Sequence, residues 1–132
     1  MQKPRVLIVD DEPDIADALA LVLDQSGHET ATAENGSQAL ERLHGGFDAS
    51  VILLDLMMPI MDGESFMAEQ RRDPRLVSIP VILFSGDYRR LAAAQGPNVI
   101  ARLRKPVALS PLLEAVRRGS ANRRSQSPSP PF

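Results

Sequence analysis

A chain of 132 residues is long enough for one domain with a hydrophobic core, and its 43% apolar and 24% charged shares are those of a soluble globular protein. A net charge of −2 lacks the Lys and Arg surplus on which duplex binding leans, so nucleic acid is not an expected partner. Having no cysteine excludes disulfides, thiolate metal sites and cysteine nucleophiles, while the lack of a membrane-length apolar run or a signal peptide makes cytoplasmic residence, away from membranes, the expectation.

Val6-Leu7-Ile8-Val9 reads as a short buried strand, followed at once by Asp10-Asp11-Glu12-Pro13. Pro13 suits the first position of a helix, and the acids before it suit the positive end of the helix dipole. Ile15, Leu19 and Val22 recur at helical spacing, and Gly27 is the expected C-terminal cap. His28 to Ala33 alternates loosely, as an edge strand would. Asn35-Gly36 breaks it, Ser37 to Leu43 forms a brief helix, and Gly45-Gly46 ends that helix. Val51 to Leu54 is a strand apolar on both faces, and Asp55 stands where it should end. Glu64 to Arg72 is helical, stopped by Asp73-Pro74. Pro80 to Phe84 is the next buried strand, Ser85-Gly86-Asp87 a turn, and Tyr88 to Gln95 a short helix. Val99 to Leu103 is the last strand, leading to Lys105-Pro106. Ser110-Pro111 resembles an N-cap followed by Pro at the first helical position, and Leu109, Leu112, Leu113 and Val116 form one apolar stripe. From Gly119 onward Ser, Pro and Arg dominate, so residues 119–132 are expected to be a disordered tail behind a domain spanning 4–118.

Five strands alternating with five helices imply an α/β fold, a parallel sheet with helices on both faces. The first, third and fourth strands are the most apolar and should be central. In such a sheet the carboxyl ends of the strands share one edge, where ligands bind. Those ends deliver Asp10 and Asp11, Asp55, Ser85 and Lys105. Clustered carboxylates repel one another unless a cation sits among them, and oxygen-only ligands fit Mg²⁺ best. A metal, a lysine and a hydroxyl together suit a phosphoryl group, with Asp55 as the nucleophile that receives it.

Val9-Asp10-Asp11-Glu12-Pro13, Asp55-Leu56-Met57-Met58-Pro59 with Met61-Asp62-Gly63, Pro80-Val81-Ile82 leading to Ser85, and Lys105-Pro106 together resemble the receiver domain of bacterial two-component response regulators. Ala33-Glu34-Asn35-Gly36 ahead of Ala39-Leu40 agrees with it. The resemblance implies a flavodoxin-like, doubly wound five-stranded sheet in the order 2-1-3-4-5. It implies that Asp55 takes a phosphoryl group from a phosphohistidine on a sensor histidine kinase or phosphotransfer protein. It also implies that Asp11, Asp55 and the backbone carbonyl of Met57 hold Mg²⁺, with Asp10 acting through water. Ser85 and Lys105 would contact the phosphoryl oxygens, and the Lys105–Pro106 bond would be cis. The chain would be a self-phosphorylating and autodephosphorylating switch rather than a conventional enzyme. It would signal to a downstream protein through its fourth and fifth helices and last strand, a face that also suits a homodimer.

The chain departs from the family at one point. Receivers usually carry Tyr or Phe three residues before the lysine as the element that couples phosphate to surface; Arg102 stands there. Tyr88, the single tyrosine, follows Ser85-Gly86-Asp87, and a subgroup of receivers resembles this arrangement. Ser85, Tyr88 and Arg102 are therefore the candidate switch residues. Two other functions stand beside the phosphoacceptor. One is a phosphate-independent interaction module, for which Arg102 is the support. The other is a phosphohydrolase, which needs a general acid two residues after the nucleophile, where Met57 sits.

Overall fold

A computed structural model describes residues 3–126, the last five by backbone alone. The elements alternate in the expected way: β1 (Arg5–Val9), α1 (Pro13–Gln25), β2 (Glu29–Ala33), α2 (Gly36–His44), β3 (Val51–Asp55), α3 (Gly63–Arg72), β4 (Val81–Ser85), α4 (Tyr88–Ala93), β5 (Val99–Arg104) and α5 (Leu109–Gln126). All pairings are parallel, in the order β2-β1-β3-β4-β5. β1, β3 and β4 are central, because their apolar runs satisfy a sheet covered on both sides.

Side chains of a strand alternate between faces, so each central strand feeds two cores. Leu7, Val9, Ile52, Leu54, Val81 and Leu83 pack with Ala39 and Leu43 of α2, Phe66 and Met67 of α3, and Leu91 of α4. Val6, Ile8, Val51, Leu53, Ile82 and Phe84 pack with Ala16 and Leu23 of α1 and Leu112, Ala115 and Val116 of α5. Each fully buried large side chain contributes roughly 1.5–3 kcal/mol. That holds the sheet firmly enough to fix the level of every strand end.

Two expectations need correction. The tail does not begin at Gly119: α5 runs on to Gln126, and of the expected tail, residues 127–132 lie outside the described residues. A Cβ at position 119 would stand 2.9 Å from both Ile100 Cδ1 and Val51 Cγ2, so the glycine lets α5 approach the sheet closely, and Ser120 is buried behind it. Packing carries the helix past the point where its composition changes. The second correction concerns the start of α5, which is Leu109. Ser110 and Pro111 therefore lie inside the first turn rather than at the cap and first position, and Pro is tolerated there because the first-turn N–H groups have no helical acceptor.

No helix among the described residues is long and apolar enough to cross a membrane.

Candidate phosphoryl-transfer site

Register brings the polar strand ends together. Val9 pairs with Leu54, Asp55 with Phe84, and Ser85 with Arg104. Asp10, Asp55, Ser85 and Lys105 therefore leave the sheet on neighbouring strands at almost one level, although the first and last are 95 positions apart in the chain.

Asp55 is 1% exposed at the end of β3. One carboxylate oxygen accepts the Met57 N–H at 3.1 Å, and the other accepts Lys105 Nζ at 3.0 Å. Asp10, equally buried, uses Oδ1 to accept the Glu12 N–H at 2.9 Å. Its buried Oδ2 has no hydrogen bond; Lys105 Nζ lies 3.5 Å away, and the same ammonium is 4.0 Å from Glu12. Asp11 completes the cluster: Asp10, Asp11 and Asp55 each place an oxygen within 4.8 Å of the others.

Burial pushes Asp55 up to about 6, with the Asp10 charge adding to the rise, and the hydrogen bonds from Lys105 and Met57 recover only part of it. Burial also acts against the Lys105 ammonium, but its hydrogen bond to Asp55 and the charges of Asp55, Asp10 and Glu12 outweigh that, so its pKa rises. The site thus carries more negative charge than one lysine neutralises. Three carboxylates with no nitrogen or sulfur donor, one oxygen of them buried without a partner, fit a hard divalent cation such as Mg²⁺.

The loop after β3 is drawn tightly over its own strand. Gly63 N–H donates to the Leu56 carbonyl at 3.1 Å, and Gly36 N–H donates to the Met61 carbonyl at 2.8 Å. Asp62 caps α3 by accepting the Ser65 N–H. A shallow cleft of about 300 Å³ lies over the loop, lined by Asp11, Met57, Met58, Pro59, Asp62 and Arg90. Ser85 is buried, and its Oγ accepts the Asp87 N–H at 3.0 Å. The Lys105–Pro106 bond is cis.

The three switch candidates are spread more widely. Ser85 is at the rim, whereas Tyr88 is 50% exposed on α4 with the Arg104 guanidinium 4.0 Å from its ring centroid. Arg102 does not reach the acid cluster. It donates to the carbonyls of Leu91 at 2.8 Å and Ala94 at 2.7 Å, covering the C-terminal end of α4. A cation there also meets the negative end of the helix dipole. With six residues α4 is too short to stand alone, and these bonds replace the apolar contact an aromatic would make. Arg102→Ala is therefore expected to speed amide hydrogen exchange in α4 about tenfold while leaving β1 and β3 unchanged; equal protection in the variant would show that the bonds carry no weight.

Arg90 is not among the residues that the motifs single out. From α4 it binds Asp62 at 3.0 Å and Glu64 at 2.6 Å, tying α4 to the start of α3. His44 of α2 pairs with Asp73 at 3.0 Å. Neither pair has a signal at short sequence separation.

The family model described as "Response regulator receiver domain" matches residues 6–117. A response regulator receiver protein of Anaeromyxobacter sp. is 40% identical over 83% of the chain, which spans 46% of that protein. Protein PilH of Pseudomonas aeruginosa is 33% identical over 85% of the chain and is itself 93% covered. Among solved structures, the response regulator protein TrrA of Thermotoga maritima, in complex with Mg²⁺ and BeF, has a TM-score of 0.78 at 28% identity, covering 88% of this chain and 98% of that one.

Proposed function

Because this chain belongs to the response regulator receiver domain family, whose members work in two-component signalling, we propose that Asp55 is its phosphoacceptor and that the acid cluster, Ser85 and Lys105 serve that transfer. The observation that carries this reading is Lys105 Nζ held 3.0 Å from Asp55 and 3.5 Å from Asp10, at a rim of buried carboxylates.

With its pKa at about 6, Asp55 is a carboxylate at neutral pH and a competent nucleophile. An oxygen of Asp55 attacks the phosphorus of a phosphohistidine. The P–N bond breaks and its electron pair stays on the imidazole nitrogen. Lys105 exchanges its carboxylate partner for a phosphoryl oxygen, neutralising charge that would otherwise sit among three acids. Asp11 and Asp55, with the backbone carbonyl of Met57 and with Asp10 through water, would hold Mg²⁺. When bound, the ion supplies charge neutralisation at the phosphoryl oxygens. Receiver domains bind Mg²⁺ at an acidic pocket, and the Mg²⁺–BeF complex of TrrA supports the same use here.

Receiver domains interact with histidine kinases or phosphotransfer proteins. Beside Lys105 an apolar groove of about 290 Å³, lined in part by Ile15, Leu19, Phe84 and Pro106, supports docking of such a donor in the cytoplasm. The switch runs from Ser85 to α4. Turning Ser85 Oγ toward a phosphoryl group releases the Asp87 N–H, and Asp87 is the residue whose side chain accepts the Arg90 N–H at the start of α4. Tyr88 is the next residue, so it takes the coupling role that Arg102 does not fill, and the output face is that of α4, β5 and α5.

Incubation with Mg²⁺ and a small acyl phosphate should add one phosphoryl mass by intact mass spectrometry, and chelation of the metal should prevent it. No gain under saturating donor would favour a phosphate-independent module. In the same experiment, donor-dependent amide shifts in α4 and β5 that persist in Tyr88→Ala would dispose of the coupling role.

A further inference from the structure

A net charge of −2 conceals a strong segregation. Residues 1–70 hold fourteen Asp and Glu against three Lys and Arg, whereas residues 71–132 hold twelve Lys and Arg against three Asp and Glu. The sheet order keeps the halves apart: β2, β1 and β3 come from the first, β4 and β5 from the second. Folding thus converts an asymmetry of sequence into a dipole across the sheet, negative toward the β2 edge and positive toward the β5 edge.

On the positive side the acids are already engaged. Asp87 caps α4, and Glu114 pairs with Arg117 at 2.7 Å. Arg89 and Arg104 are exposed and have no carboxylate partner among the described residues; Arg104 instead stacks on the half-exposed Tyr88. Charges on an edge strand also deter edge-to-edge pairing. That purpose requires neither an exposed aromatic beside them nor segregation over the whole chain. Tyr and Arg together are the residue types that anchor protein interfaces.

We propose that the surface where α4 meets β5, centred on Tyr88, Arg89 and Arg104, binds an acidic segment of a protein partner. It specifies the chemistry of the downstream partner and rests on the phosphoacceptor reading only for the switching of that contact. An isologous dimer through this surface is disfavoured, since two-fold symmetry would set arginines against arginines.

The full chain, isotopically labelled, is titrated at low salt with a short poly-Glu peptide carrying one Leu. Amide shifts are expected in α4 and β5, lost at high salt, with affinity about tenfold weaker in the double variant Arg89→Glu and Arg104→Glu. Three results would overturn the proposal: shifts elsewhere or none, stronger shifts in the same residues from single-stranded DNA or anionic vesicles, or concentration-dependent shifts at both sheet edges without peptide, which mark head-to-tail self-association. Phosphoryl gain by mass is read on the double variant as well. Retained gain with lost peptide binding separates failure of this surface from failure of the phosphoacceptor site.

Discussion

Asp55→Asn should gain no phosphoryl mass under conditions that phosphorylate the unaltered chain, and in metal-free buffer it should be the more stable protein at neutral pH. The second outcome follows from the pKa of about 6 against an ordinary 3.8. Below 3.8 the carboxyl is protonated in both folded and unfolded chains, and Asp55 then carries no electrostatic penalty. Between the two values the folded chain binds the proton that the unfolded chain has released, so stability falls as pH rises. Above about 6 the loss is complete, and two pKa units correspond to about 3 kcal/mol. The stability difference between the variant and the parent, measured by urea unfolding, should therefore be flat below pH 4, grow up to pH 6 and then level off. Mg²⁺ should narrow the gap by stabilising the parent, whose acid cluster is intact, more than the variant. A difference that stays constant across this pH range would mean that the Asp55 carboxylate is no burden in the folded chain. A phosphoryl gain that survives the substitution would move the acceptor elsewhere.

Gly63→Ala is expected to cost about 3 kcal/mol and to impair phosphorylation together with stability. A Cβ at this position would stand 2.6 Å from the Asp55 carbonyl oxygen and 2.9 Å from Leu56 Cα. Both are backbone atoms of the central strand and its exit, so no side chain can rotate away. Either α3 lifts or the end of β3 shifts, and the second outcome displaces Asp55, the proposed phosphoacceptor. Gly86→Ala is the matched control: nothing lies within 4 Å of a Cβ there, and its stability should stay within about 0.5 kcal/mol of the parent. Thermal unfolding with both variants at parental values would show that the close approach of α3 to β3 is dispensable.

Part of this molecule is written locally. The unbroken apolar runs of β1, β3 and β4 could belong only to strands covered on both faces, and that alone placed them at the centre. An acid or hydroxyl straight after such a run needs polar partners, so Asp10, Asp55 and Ser85 could be placed together at the polar edge of the sheet before any contact was known. Lys105 was identifiable by its place ahead of Pro106 and by family likeness, not by charge. Helix ends were less legible. Composition set the end of α5 at Gly119, but composition records what a segment contains and not what it packs on, and here Val51 and Ile100 decided.

Sequence by itself thus determined the strand pattern, the common edge and the residue types that meet there, because hydrophobic periodicity and the cost of burying charge act residue by residue. Tertiary structure alone decided that Lys105 sits between Asp55 and Asp10, that Arg102 closes α4 rather than filling an aromatic's place, that Arg90 ties α4 to α3, and that Tyr88 lies under Arg104. Those contacts join residues on different elements. Their distances are set by strand register and by the closeness of helix packing, and neither quantity is carried by any single stretch of chain.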